Sequence, residues 1–194
     1  MKEQLKTKKA YVKKNNQIVI DESIFADIAE GDKEAFASLY KATSVAIYAY
    51  LLSYVKNPED AKDLMQDTYL KIRSAAGIYQ PYGKPLAWIY TIAKNLALMK
   101  LRRDSAHPQQ ELDESSAIIS NTAAQAENHI LLEQAMQVLS KEDYQIVTLH
   151  AISGMKHREI ADIMNLSLTA TLNRYNRALK KLKKQIGGEY HEVN

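Results

Sequence analysis

Between about Asp104 and Asn128 the apolar periodicity that runs through the rest of this chain stops, and that interruption limits the folds open to it. Pro108, Gln109, Gln110, Ser115, Ser116 and Asn121, mixed with acids, replace the regular spacing; this is the composition of a tether rather than of a packed element. On either side of it apolar residues recur at steps of three and four, the spacing that lines one side of a helix. Six Gly and four Pro in 194 residues leave little material for the turns of a sheet protein. The expected fold is all-α: two small helical domains joined by a flexible linker at 104–128.

The first domain is expected at 21–103. Gly31-Asp32 reads as a helix stop followed by a new cap, and Ala35, Phe36, Leu39, Tyr40, Thr43, Ile47, Tyr50, Leu51 and Tyr54 then line one long helix. Asn57-Pro58-Glu59-Asp60 starts another, with Asn57 as cap, Pro58 at the first helical position and acids in the first turn. Gly77 to Pro85 is a turn-rich connection, after which Pro85 opens a third helix through Arg103.

The second domain is expected at 129–187. Ile130, Leu131, Met136 and Leu139 suggest one helix, and Ser140 with Asp143 three residues on starts the next, which Gly154 ends. Arg158 to Met164 is a short helix, Asn165-Leu166-Ser167 a tight turn, and Leu168 to Ile186 a long final helix. Residues 1–20 read as a basic tail carrying Lys2, Lys6, Lys8, Lys9, Lys13 and Lys14, in which Gln17 to Ile20 is either a short strand or nothing; 188–194 is a second tail.

Composition removes several function classes. No cysteine is present, so disulfides and thiolate chemistry are excluded and a reducing cytosol is favoured. The five His (His107, His129, His150, His157, His191) show no metal-ligand spacing, and there is no Gly-rich phosphate loop, so no catalytic residue, metal or cofactor is expected. No apolar stretch reads as long enough to span a bilayer, and the basic start lacks a signal-peptide core; a cytoplasmic protein without membrane insertion is expected. A net charge of +3 is weak evidence for a nucleic-acid partner, so the placement of charge has to carry that argument.

Three constellations have such placement. Ile160, Ala161, Met164, Asn165, Leu166 and Ser167 have helix-turn-helix spacing, and Asn165 tolerates the left-handed backbone of the turn. On the following helix Leu168, Leu172, Tyr175, Leu179, Leu182 and Ile186 read as the packing side, with Arg174, Arg177, Lys181 and Lys184 on another. Such a helix fits a major groove, its early residues near base edges and its cations on phosphates. Second, Asp60, Asp63, Gln66 and Asp67 share the helix face away from Leu64, Met65 and Tyr69; an acidic face repels DNA and suits a basic protein, unless it is merely solvated. Third, Trp88, Thr91, Asn95 and Arg102 share a face, with Lys84, Lys94, Lys100 and Arg103 nearby. Rings, amides and cations together suit unpaired bases, although Trp88 also reads as an ordinary core residue.

Taken in order, Asp32-x-x-Ala35-Phe36-x-x-Leu39-Tyr40, the run Asp60-Ala61-Lys62-Asp63-Leu64-Met65-Gln66-Asp67-Thr68-Tyr69-Leu70, and Trp88-Ile89-Tyr90-Thr91-Ile92-Ala93-Lys94-Asn95 with Arg102-Arg103 resemble region two of the extracytoplasmic-function sigma factors of bacterial RNA polymerase. Leu139 through Leu182, with Glu159-Ile160-Ala161 and Arg174-x-x-Arg177-Ala178, resembles their region four. The resemblance implies a promoter-directing factor in which Asp60, Asp63, Gln66 and Asp67 dock on core polymerase. It implies that Lys84, Trp88, Thr91, Lys94, Asn95, Lys100, Arg102 and Arg103 serve recognition and melting of the minus-ten element. It assigns Arg158, Ser167, Thr169, Ala170, Asn173, Arg174, Arg177 and Lys181 to the minus-thirty-five element. Core polymerase, promoter DNA and an anti-sigma factor are the implied partners, and polymerase supplies the catalysis. Lys62 stands where an acid is usual, Met99 where an Asp is common, and Thr169 to Leu172 where a Gly-Thr-Val-Lys run is common. The alternative is a stand-alone helix-turn-helix regulator or a degenerate sigma-like protein.

Overall fold

A computed structural model of the protein describes the backbone of residues 11–14, 17–106 and 137–189. Of the expected linker at 104–128 and the helix at Ile130 to Met136 only 104–106 is described, and it is helix rather than linker, because the preceding helix runs on through Ala106. The chain opens with an antiparallel hairpin, β1 (Tyr11–Lys14) and β2 (Gln17–Ile20), in the register Tyr11 opposite Ile20 and Lys14 opposite Gln17. Then follow α1 (Ile24–Ala29), α2 (Lys33–Val55), α3 (Pro58–Ala75), a 3-10 turn (Ala76–Ile78) and α4 (Pro85–Ala106). The second part holds α5 (Lys141–Val147), continued by one π-helical turn (Thr148–Ile152), then α6 (His157–Met164) and α7 (Leu168–Glu189). The stretch from 17 to 20 is thus a strand, and the end of the region read as a tail belongs to the folded body.

The helix boundaries follow from local chemistry. Asp32 Oδ1 accepts from the backbone N–H groups of Glu34 and Ala35 at 2.8 and 3.1 Å, and Asn57 Oδ1 does the same for Glu59 and Asp60 at 2.9 and 3.1 Å. Each side chain satisfies two of the donors that a helix start leaves open. Helix α2 ends where Lys56 turns left-handed at φ 57°. Ser140 Oγ accepts from Asp143 N at 3.2 Å to start α5, and Ser167 Oγ accepts from Ala170 N at 3.1 Å to start α7. Asn165, at φ 53°, makes the helix-turn-helix corner.

Helix α2 is the axle of the molecule. Leu39, Ile47, Tyr50 and Leu51 are fully buried, and α1, α3, α4 and α5 pack around it. By length and composition it is, among the described residues, the one helix apolar enough to cross a membrane, a property the sequence reading did not credit to any stretch. Its apolarity has a packing cause: a helix covered on several sides by other helices needs little polar surface.

The core does not stop at the first domain. Ile146, Leu149, Met155 and Ile160 from the second part belong to the same apolar cluster as Ile18, Leu51, Leu52 and Tyr90. A smaller cluster of Leu139, Tyr144 and Ala178, with Val147 and Leu182 against it, ties α7 to α5. The two helical units expected from the sequence are present, and they share one core.

Candidate nucleic-acid interface

Helix α4 presents Thr91, Asn95, Arg102 and Arg103 to solvent. Trp88 does not join them. It is half-buried, its ring packed edge-on to Phe25 at 5.0 Å and to Tyr79 at 4.9 Å, so the core reading of Trp88 applies to its ring. Tyr79 in turn donates from its hydroxyl to Glu22, and Glu22 also accepts from Gly83 N at 3.2 Å, which anchors the loop before α4. That loop exposes Ile78 and Tyr82, 78% and 81% accessible, two large apolar groups the sequence reading did not single out.

The lysines of this group are already engaged. Lys84 pairs with Asp162 at 3.4 Å, and Lys94 Nζ donates to the carbonyl of Ile163 at 3.1 Å, both across to α6. Lys100 bridges Asp60 at 3.0 Å and Asp104 at 3.3 Å, and the bond to Asp60 in particular raises its pKa. Asp60 is accordingly half-buried and turned toward α4, whereas Asp63, Gln66 and Asp67 stand free on the outer face of α3, with exposed Leu70 beside Asp67. Lys62, the departure from the acidic pattern, is held by Glu59 at 2.7 Å.

Helix α7 packs only in part as expected: Tyr175 and Leu182 lie on its packed side. Thr171 and Ala178 are fully buried, while Leu168 and Leu172, expected on the packing side, are exposed. Against α5 the packed residues are Ala178 and, beside it, Leu182, while the first two leucines of the helix stay outside. Arg174 consequently lies at the interface rather than outside it. Its guanidinium donates to Asp143 Oδ1 at 3.3 Å, Arg177 donates to both Asp143 oxygens at 3.0 and 3.3 Å, and Lys181 Nζ lies 3.9 Å away. The Asp143 side chain is 1% exposed. Burial pushes its carboxyl up, but the bonds from Arg177, Ser140 and Arg174 outweigh burial and hold it below the ordinary carboxylate value. Arg158, Ser167, Thr169 and Asn173 are exposed around the start of α7, and Ala170 is half-buried.

By its spacing from Ser140, Asp143 reads as part of a cap alone. Nothing local marks it as a charge hub, because its partners lie 31 to 38 residues further along the chain. Behind α7, His150 and His157 stack with ring centroids 4.1 Å apart and Tyr175 against both.

Two modules, one offering an acidic outer face beside a helix of polar and cationic groups and the other a helix-turn-helix, have counterparts among known proteins. The chain matches the family model for sigma-70 region 2 over residues 39–107 and that for sigma-70 region 4 over residues 129–182, which together span more than half of it. It is 26% identical over 172 residues to the ECF RNA polymerase sigma factor SigK of Mycobacterium sp. (strain KMS), covering 84% of this chain and 89% of that one. The chain belongs to the extracytoplasmic-function sigma factors. Another relative of this sigma factor is RNA polymerase sigma factor YlaC of Bacillus subtilis (strain 168), 26% identical over 161 residues with 79% and 93% covered. In fold it resembles CnrH, solved in complex with the cytosolic domain of CnrY, at a TM-score of 0.59 and 24% identity over 87% of this chain and 97% of that one. It equally resembles RpoE, solved with the anti-sigma factor NepR from Bartonella quintana, at 0.59 and 22% identity over 79% and 98%.

Proposed function

We propose that this sigma factor binds core RNA polymerase in the cytoplasm and directs promoter-specific initiation, recognising and melting promoter DNA while the polymerase does the chemistry. The observation that carries the reading is the ordered pair of region 2 and region 4 matches, each on a folded unit with its own exposed face. An anti-sigma factor is the regulator it would meet.

Within that reading Asp63, Gln66 and Asp67 form the docking face for polymerase, and their exposure supports the assignment. Asp60 acts behind them by holding Lys100. Thr91, Asn95, Arg102 and Arg103 face the minus-ten strand directly, with Lys84, Lys94 and Lys100 able to join when their present partners let go. Trp88 is the residue on which that face is braced. Arg158, Ser167, Thr169, Ala170 and Asn173 lie toward the minus-thirty-five duplex, where Arg174, Arg177 and Lys181 divide their charge between Asp143 and the backbone phosphates.

Run-off transcription with purified core enzyme over a genomic library tests this. Transcripts that start at a shared sequence, and only when the chain is added, are expected. Duplex binding by the chain alone, with no stimulated transcription, would instead identify a helix-turn-helix regulator.

A further inference from the structure

The contact between the two sigma regions is specific in its polar as well as its apolar part. Gln145 Nε2 donates to Ser53 Oγ at 2.8 Å, both side chains 2% exposed, and Tyr90 and Ser153 share a hydrogen bond of 2.5 Å between two fully buried residues. Lys141 lies with its amine 4.0 Å over the Tyr54 ring, and burial lowers its pKa. Buried polar groups that find partners across a seam fix one arrangement of the two sides, because any other leaves them unsatisfied.

The hairpin ahead of region 2 fastens this seam. Ile18 N–H donates to the carbonyl of Ser153 at 3.1 Å, a backbone bond from β2 to the loop just before the helix-turn-helix. Next to it Gly154 sits at φ 71°, and a Cβ there would lie 2.4 Å from Gln17 Cα, so only glycine lets the strand pass. Ile18 and Ile20 point into the core that both regions share. A two-stranded hairpin is at best marginally stable alone, so this one is ordered where both regions supply its floor, and order in the hairpin and closure of the seam rise together. The closed seam also occupies Lys84, just before α4, and Lys94 within it, with Asp162 and Ile163 of α6.

We propose that the β1–β2 hairpin is a latch that holds region 4 closed on region 2 in the free chain and keeps the inner end of α4 from single-stranded promoter DNA; resting on the function proposed above, core polymerase is the competitor that opens it. The hairpin lies before residue 39, where the region 2 match begins.

The chain has no cysteine, so cysteines introduced at the exposed positions Lys71 on α3 and Lys180 on α7 accept a donor and an acceptor dye without competition. Energy transfer is measured in the full chain and in Ile18→Pro, which lacks the N–H that reaches Ser153, and in Gly154→Ala, which collides with Gln17; helicity by circular dichroism checks the fold. High transfer is expected in the parent. Lower transfer at unchanged helicity is expected in both variants, with affinity for a single-stranded minus-ten oligonucleotide rising about tenfold as the competent fraction grows. Low transfer in the parent, or equal transfer and equal oligonucleotide affinity in all three, would overturn the latch. So would loss of helicity in both variants, which would make the hairpin part of the region 2 fold itself. If the variants open as expected but core polymerase leaves the parent's transfer unchanged, the latch stands and the polymerase reading fails.

Discussion

Arg177 Nη2 reaches both carboxylate oxygens of Asp143, at 3.0 and 3.3 Å, and so ties the middle of α7 to the first turn of α5. A charge at that depth is tolerable only when paired, and here the pairing fixes how the last helix lies on its domain. The same guanidinium remains 56% exposed, so its outer edge is open to a phosphate while its inner edge is held.

Asp143→Ala removes the anchor of that helix. A loss of about 2 kcal/mol in stability is expected, the scale of deleting a buried hydrogen-bonded acceptor whose cationic partners can turn to water. Urea denaturation checks it, and an unchanged midpoint would show that the ion pair is not a stabilising one.

The two acids Asp63 and Asp67 should matter to polymerase in a way that Asp60 does not. Asp63→Lys with Asp67→Lys is expected to abolish co-purification with core enzyme at unchanged helicity, since reversed charges repel a basic surface. Asp60→Ala is expected to retain binding and to leave Lys100 paired with Asp104 alone. Equal loss in both variants would return Asp60 to the docking face.

On α4, stability and promoter opening should separate. Trp88→Ala leaves a void between Phe25 and Tyr79 and is expected to cost about 3 kcal/mol, visible as a lowered Tm. Asn95→Ala with Arg102→Ala, both exposed, should leave stability within about 0.5 kcal/mol of the parent yet reduce opening of duplex promoters more than of pre-melted ones. Equal activity on both templates, relative to the parent, would remove these residues from melting.

Acid should loosen the second domain. Burial, and then the neighbouring His150, hold the His157 pKa below its ordinary value of 6.5. The folded value being the lower one, the unfolded chain binds more protons between the two, and stability falls as pH drops through 6.5. The π-turn and α7 face His157 through His150 and Tyr175, and His150 Nδ1 is itself bonded to the carbonyl of Met155. Thermal melts at about pH 5.5 and 7.5 should show a lower Tm in acid, and His157→Gln should shrink the difference. Asp143 contributes separately, its stabilisation being lost only as pH falls below the ordinary carboxylate value of 3.8.

Much of this was legible because it is local. Asp32, Asn57 and Ser140 cap the helices they were expected to cap, Pro85 opens α4, and Asn165 makes the turn, since each depends on a few neighbours. The order of region 2 and region 4 was legible for the same reason. What could not be read was the third dimension: that α7 packs by Thr171 and Ala178 rather than by Leu168 and Leu172, that Asp143 gathers cations from a distant helix, and that Lys84 and Lys94 are spoken for by α6. Pairings such as Gln145 with Ser53 join residues 92 apart, and no spacing rule reaches that far.

The sole tryptophan sits between Phe25 and Tyr79 at the start of the helix assigned to promoter melting. Its fluorescence is therefore a native optical signal from one domain alone. Emission that shifts while the chain's circular dichroism stays constant would date the first disturbance to the packing between α1 and α4, with no dye attached.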